Sequence, residues 1–127
     1  MEDLIAHFFA RHGDLTLVVL YGSQANGQAT KDSDIDVAIM GAQALSIEEL
    51  LEFNSGLRLK LGREIDLVDL RASHGALLSE ILTRGKLLLM RDPAVYAALI
   101  KRMWYEREDD GRFLAITLKE RQKQWQK

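Results

Sequence analysis

Two aspartates one residue apart, Asp34 and Asp36, follow a Gly22-Ser23 pair after ten intervening residues, 24–33. A strand alternates its side chains between faces, so both carboxylates point one way while Ile35 points the other. Carboxylates held that close repel each other, and a divalent cation between them removes the repulsion. Hard oxygen ligands suit Mg2+, which takes one or two carboxylates and fills its shell with water and phosphate oxygens. Gly22 ends an apolar run, Leu17-Val18-Val19-Leu20-Tyr21, with a residue that lets a ligand come close to the backbone, so Gly22-Ser23 is a candidate phosphate cradle. Ser23 could also cap a short helical turn, and the two roles are compatible because a helix N-terminus attracts anions. The polar loop that follows, with Gly27 and the turn signal Lys31-Asp32-Ser33, would set the distance between cradle and metal.

The rest of the chain must hold these groups in place. Leu4, Ile5, Phe8 and Phe9 recur at helical spacing before Gly13, and a strand is predicted over residues 16–21. The second strand runs through Val37-Ala38-Ile39-Met40 to Gly41. Ser46 and Glu49 have the spacing of a capping box that opens a helix, with Ile47, Leu50, Leu51, Leu57 and Leu61 as its expected buried stripe and Gly62 as its stop. Residues 63–70 read as a third strand carrying Asp66 and Asp69 on opposite faces, so only one of them can face the first two aspartates. Ser73 is the expected N-cap of a helix with Leu77, Leu78, Ile81 and Leu82 inward and Gly85 at its end. A last strand is predicted over 86–90, and Asp92-Pro93 starts a helix with Val95, Tyr96, Leu99, Ile100 and Met103 on its apolar side. From Gly111 onward Arg112, Lys119, Arg121, Lys123 and Lys127 face one acid, Glu120, and Trp125 stands near the end, which reads as a partner-binding tail or a solvated helix. His7, His12 and His74 have no partner at a metal-ligand spacing and read as surface or core-edge residues.

At 127 residues and 47% hydrophobic composition the chain reads as one domain, 1–127, with 92–127 a C-terminal helical segment. Its net charge of −2 gives no basic field for gripping nucleic acid, so direct nucleic-acid binding is not expected. The absence of cysteine excludes disulfides and thiolate metal sites. An acidic start and the lack of a membrane-length apolar run lead to the expectation of a soluble cytoplasmic protein with no membrane partner.

The run GSQANGQATKDSDIDVAI, with a strand before it and a strand through its acids, resembles the signature of the DNA polymerase β-like nucleotidyltransferase superfamily. It is most similar to the minimal nucleotidyltransferases, the MNT half of prokaryotic HEPN/MNT toxin–antitoxin pairs, over roughly residues 17–90. Many relatives carry Arg where this chain has Asn26, and often another basic residue near Ala29 or Thr30; Lys31 is a candidate substitute for those outer phosphate contacts. The resemblance implies an α/β (α+β) fold, a single mixed sheet with flanking helices. It also implies a third carboxylate in the form apolar-Asp-apolar-apolar, which Ile65-Asp66-Leu67-Val68 matches. Asp34 and Asp36 would then hold two Mg2+ ions, Gly22 and Ser23 the triphosphate of ATP, and Asp66 the ion nearest the attacking oxygen. The implied reaction moves AMP to a tyrosine hydroxyl of a cognate HEPN ribonuclease toxin, which makes the chain its antitoxin. A small-molecule nucleotidyltransferase of the aminoglycoside type and a non-catalytic toxin-binding module are the alternatives.

Overall fold

The structure is a computed structural model and describes residues 1–25, 27, 29 and 33–107. Its elements run α1 (Glu2–Ala10), β1 (Leu15–Tyr21), a 3-10 turn (Gly22–Gln24), β2 (Ile35–Gly41), α2 (Ile47–Leu61) and β3 (Ile65–Asp69). A second 3-10 turn (Leu70–Ala72), α3 (Gly75–Arg84), β4 (Lys86–Met90) and α4 (Pro93–Arg107) complete the described chain. Four strands form one sheet in the order β3-β2-β1-β4. β1 pairs antiparallel with β2 and with β4, while β2 and β3 are parallel, so the sheet is mixed as the family resemblance implied.

Alternation along the strands builds a core on each face. Val18, Leu20, Ile35, Val37, Ile39 and Ile65 meet Ile5, Phe9 and Leu57 from α1 and α2. Leu17, Val19, Tyr21 and Ala38 meet Leu78, Ile81, Leu99 and Met103 from α3 and α4. Leu15 joins the first core although it shares parity with Leu17, because a register shift lies between those two residues.

Local chemistry sets several boundaries. Ser46 and Glu49 form the expected capping box: the Glu49 amide donates to the Ser46 hydroxyl at 3.0 Å and the Ser46 amide to the Glu49 carboxylate at 3.2 Å. Gly62 closes α2 in the left-handed conformation at φ 65°, where a side chain would be strained. The Asp92 carboxylate accepts from the Ala94 amide at 3.0 Å, just before Pro93.

Other expectations need correction. Ile47 and Leu51 are not in the buried stripe of α2; Leu57 is, with Leu50, Phe53 and Leu61 beside it, because α2 turns that side to the sheet. On α3, Leu77 is exposed while Leu78 and Ile81 are buried. Ser73 does not cap α3. Its hydroxyl donates to the Asp69 carbonyl at 2.9 Å, and His74 occupies the N-cap position without a side-chain cap of its own. Glu106 of α4 reaches that helix end instead, pairing with Nδ1 of His74 at 2.7 Å and accepting from the Gly75 amide at 3.4 Å. The third strand is shorter than predicted, since Leu70 already belongs to a 3-10 turn. The basic segment 111–127 lies outside the described residues.

Candidate active site

The site begins where β1 ends. Tyr21, the last residue of β1, pairs in register with Asp36 on β2, and Asp36 pairs with Asp66 on β3. Three neighbouring strands therefore place a phenol and two carboxylates side by side on the face that carries α3 and α4, since all three have the parity of Ala38 and Val68. Asp34 sits just before β2, exposed, and its charge reaches Asp36. Asp66 is exposed and Asp36 half-buried. Asp69 points away: its carboxylate accepts from the Arg71 amide at 2.9 Å and caps the following turn.

Gly22 fits this arrangement tightly. It has φ 72°, and a Cβ there would collide with Oδ2 of Asp36, so both its handedness and its lack of a side chain are required. Ser23 lies within the 3-10 turn rather than capping it; the cap position is Tyr21, which makes no side-chain cap to the turn. Asn26 and Lys31 lie outside the described residues.

Electrostatics mark the cluster. Burial, the Asp66 charge and a hydrogen bond shared with Asp66 push the Asp36 carboxyl up to about 6, with Asp34 and Glu80 adding to the effect. Burial, followed by the charges of Asp66, Asp36 and Glu80, pushes the Tyr21 phenol well above its usual range, so it stays a neutral hydroxyl. Such perturbation at one end of the strands is a common property of functional sites. Among the described residues no three acids or histidines are gathered into a ready-made metal cage. The adjacent pair Asp36 and Asp66 still suits Mg2+, which is usually held by one or two carboxylates with substrate phosphates completing the shell.

The sequence reading did not single out Tyr21, Gln24 or Glu80. Tyr21 follows from antiparallel register with Asp36 and could have been found once β1 and β2 were paired. Gln24 lies in the Gly22–Gln24 turn with a buried side-chain nitrogen that has no hydrogen-bond partner among the described residues. Glu80 left no local signal, because only the packing of α3 brings its charge to Asp36. It also lines a groove of about 780 Å³ that runs along α3 past Ser79 and Thr83 to Glu106.

A family model described as polymerase beta, nucleotidyltransferase matches residues 3–94. The chain belongs to that family. Within it, the chain is 30% identical over 104 residues to the protein adenylyltransferase MntA of Shewanella oneidensis, a match covering 82% of this chain and 64% of MntA. Among solved structures, the nucleotidyltransferase fold matches a chain of a toxin–antitoxin crystal structure with AMP-PNP at TM-score 0.73 and 28% identity, covering 91% of this chain and 95% of that one. It also matches a chain of a complex of tri-AMPylated Shewanella oneidensis HEPN toxin with an MNT antitoxin at TM-score 0.63 and 26% identity, covering 92% and 97%. None of the described helices is long and apolar enough to cross a membrane.

Proposed function

We propose that this chain is a protein adenylyltransferase that moves AMP from ATP to a tyrosine hydroxyl of a cognate HEPN-domain toxin, acting as its antitoxin in the cytoplasm. The observation that carries this reading is the Asp36–Asp66 pair, set against a turn whose Gly22 leaves no room for a side chain, in a family member similar to MntA. A carboxyl pushed up by burial and by a neighbouring carboxylate marks a place where positive charge is favoured, and the donors there are all hard oxygens. Asp34, Asp36 and Asp66 are the residues that would hold Mg2+; bound there, Mg2+ supplies neutralisation of phosphate charge.

The residues of the chain have separable work. The 3-10 turn at Gly22 and Ser23 exposes backbone to the triphosphate, and the Ser23 hydroxyl adds a donor. In the transfer, the acceptor oxygen attacks the α-phosphorus and forms a P–O bond. The bond from that phosphorus to the α–β bridging oxygen breaks, and pyrophosphate leaves with its electron pair. Asp66, exposed beside Asp36, would either hold the ion nearest the attacking oxygen or receive the hydroxyl proton. Tyr21, buried and in register with Asp36, forms the third member of this row.

The test is incubation of the purified protein with a HEPN protein encoded beside it, ATP and Mg2+, read by intact mass. Addition of AMP to a tyrosine of the HEPN protein, lost with Asp36→Asn, is expected. An unmodified HEPN protein alongside AMP transfer to an aminoglycoside would replace this reading with the small-molecule one. Neutralisation of the toxin by the Asp36→Asn protein with no mass change would make the chain a binding module.

A further inference from the structure

Helix α2 buries one side and leaves a second apolar line unused. Ile47, Leu51, Ser55 and Leu59 follow one another at intervals of four, and all are exposed; Ile47 is 76%, Leu51 61% and Leu59 85% accessible. An i+4 row is a continuous ridge on a helix, the kind that interlocks with a like ridge at a crossing of about −50°. It serves neither core, since α2 meets the sheet through Leu57, Leu50, Phe53 and Leu61. Three large aliphatic side chains in one row are more than the single scattered exposures normal on a monomer.

Charge along the same helix selects an occupant. Glu48, Glu49 and Glu52 lie in its first half, and Arg58 and Lys60 in its second. An antiparallel pairing of two copies about a twofold axis through the ridge centre puts Ile47 opposite Leu59, Leu51 opposite Ser55 and Glu48 opposite Arg58. Every contact then occurs twice, as an isologous interface requires. A parallel pairing would set acid against acid. Arg58 already pairs with Glu64 of its own chain at 2.8 Å, and the five N–H donors of a guanidinium leave room for a second carboxylate.

We propose that the exposed ridge of α2 is a self-association surface, and that two copies of this chain pair antiparallel through Ile47, Leu51 and Leu59. Because α2 covers one face of the sheet while Asp36 and Asp66 point to the other, both sites stay open in such a dimer. One helix per copy is small beside the roughly 1,200–2,000 Å² of a standard stable interface, so the association is reversible and concentration-dependent.

Sedimentation velocity on the full chain over a wide concentration range tests this. The wild type should move from monomer toward dimer with a dissociation constant in the micromolar range. Leu51→Glu should weaken association by at least about tenfold, a change of about 1.4 kcal/mol, with an unchanged circular-dichroism spectrum and melting temperature. Glu48→Arg should weaken it also, and the double variant Glu48→Arg with Arg58→Glu should restore it, which only the antiparallel register explains. A wild type that stays monomeric at every concentration overturns the proposal, as does a dimer indifferent to Leu51→Glu or to the charge exchange. A monomeric wild type whose binding to a HEPN partner is lost on Leu51→Glu would assign the ridge to that partner instead.

Discussion

On the α1/α2 side of the sheet the inward strand residues Val18, Leu20, Ile35, Val37, Ile39 and Ile65 are all apolar and inaccessible or nearly so. On the α3/α4 side the same strands carry Leu17, Val19 and Ala38 and then, toward one end, Tyr21, Asp36 and Asp66. The first face is a closed core. The second is a core with a charged rim, and the apolar layer beneath it withholds water from Asp36 and so raises its carboxyl. One face therefore supplies stability that the other can spend on holding like charges together. Substitutions on the two faces should accordingly separate stability from chemistry.

The sharpest separation is expected from Asp36→Asn and Asp66→Asn. Metal and charge stabilisation of a transferring phosphoryl group is worth several kcal/mol, so each should slow AMP transfer by about 10²–10³-fold. Both proteins should fold, and Asp36→Asn should melt above wild type at pH 7 because a forced repulsion is gone; single-turnover rates beside thermal melts read both effects. Near-normal transfer by either variant would remove that carboxylate from the chemistry.

Leu57→Ala tests the opposite face. Truncating a fully buried leucine costs about 2–5 kcal/mol, which should appear in a denaturant titration. The transfer rate per folded molecule should stay at the wild-type value; a fall in that rate would mean that the α1/α2 core also sets the site geometry.

A smaller effect distinguishes the two acids of β3. Asp69→Ala removes the carboxylate that accepts from the Arg71 amide and should cost about 1 kcal/mol of stability, as loss of a capping side chain does, without slowing transfer. Loss of transfer in this variant with retention in Asp66→Asn would reverse their assignment.

The smallest expected signal is a pH slope. Asp36 titrates near 6 in the folded chain against an ordinary 3.8, so the folded state binds the proton more tightly. Its contribution to stability is fully present below about pH 4 and is lost as pH rises through 6. Melts of the chelator-treated protein between those values should show this component, and Asp36→Asn should lack it. An identical slope in both proteins would place the titration elsewhere.

Much of this was legible in the residues. The capping box at Ser46 and Glu49, the Asp92-Pro93 start of α4 and the period-two run from Ile35 all act within a few residues, so local chemistry is enough to read them. Gly22-Ser23 and Asp34-x-Asp36 were legible for the same reason, and the resemblance they carried agrees with the family and the fold. The α2 stripe was read less well. Apolar residues on that helix point to two sides, and nothing local says which side meets the sheet, so Ile47 and Leu51 were expected inside and are outside.

The sequence by itself determined the order of strands and helices, the glycine that ends β1, and the existence of two acids on opposite faces of β3. Tertiary structure alone decided that β2 and β3 run parallel with Asp36 beside Asp66, thirty positions further along the chain. It also decided that Glu80 of α3 adds its charge to that pair, and that Glu106 rather than Ser73 serves the start of α3. The physical reason is range. Capping, handedness and alternation are settled by neighbours in sequence, whereas the meeting of carboxylates, desolvation and the choice of buried helix face depend on surfaces that meet only when the sheet is assembled.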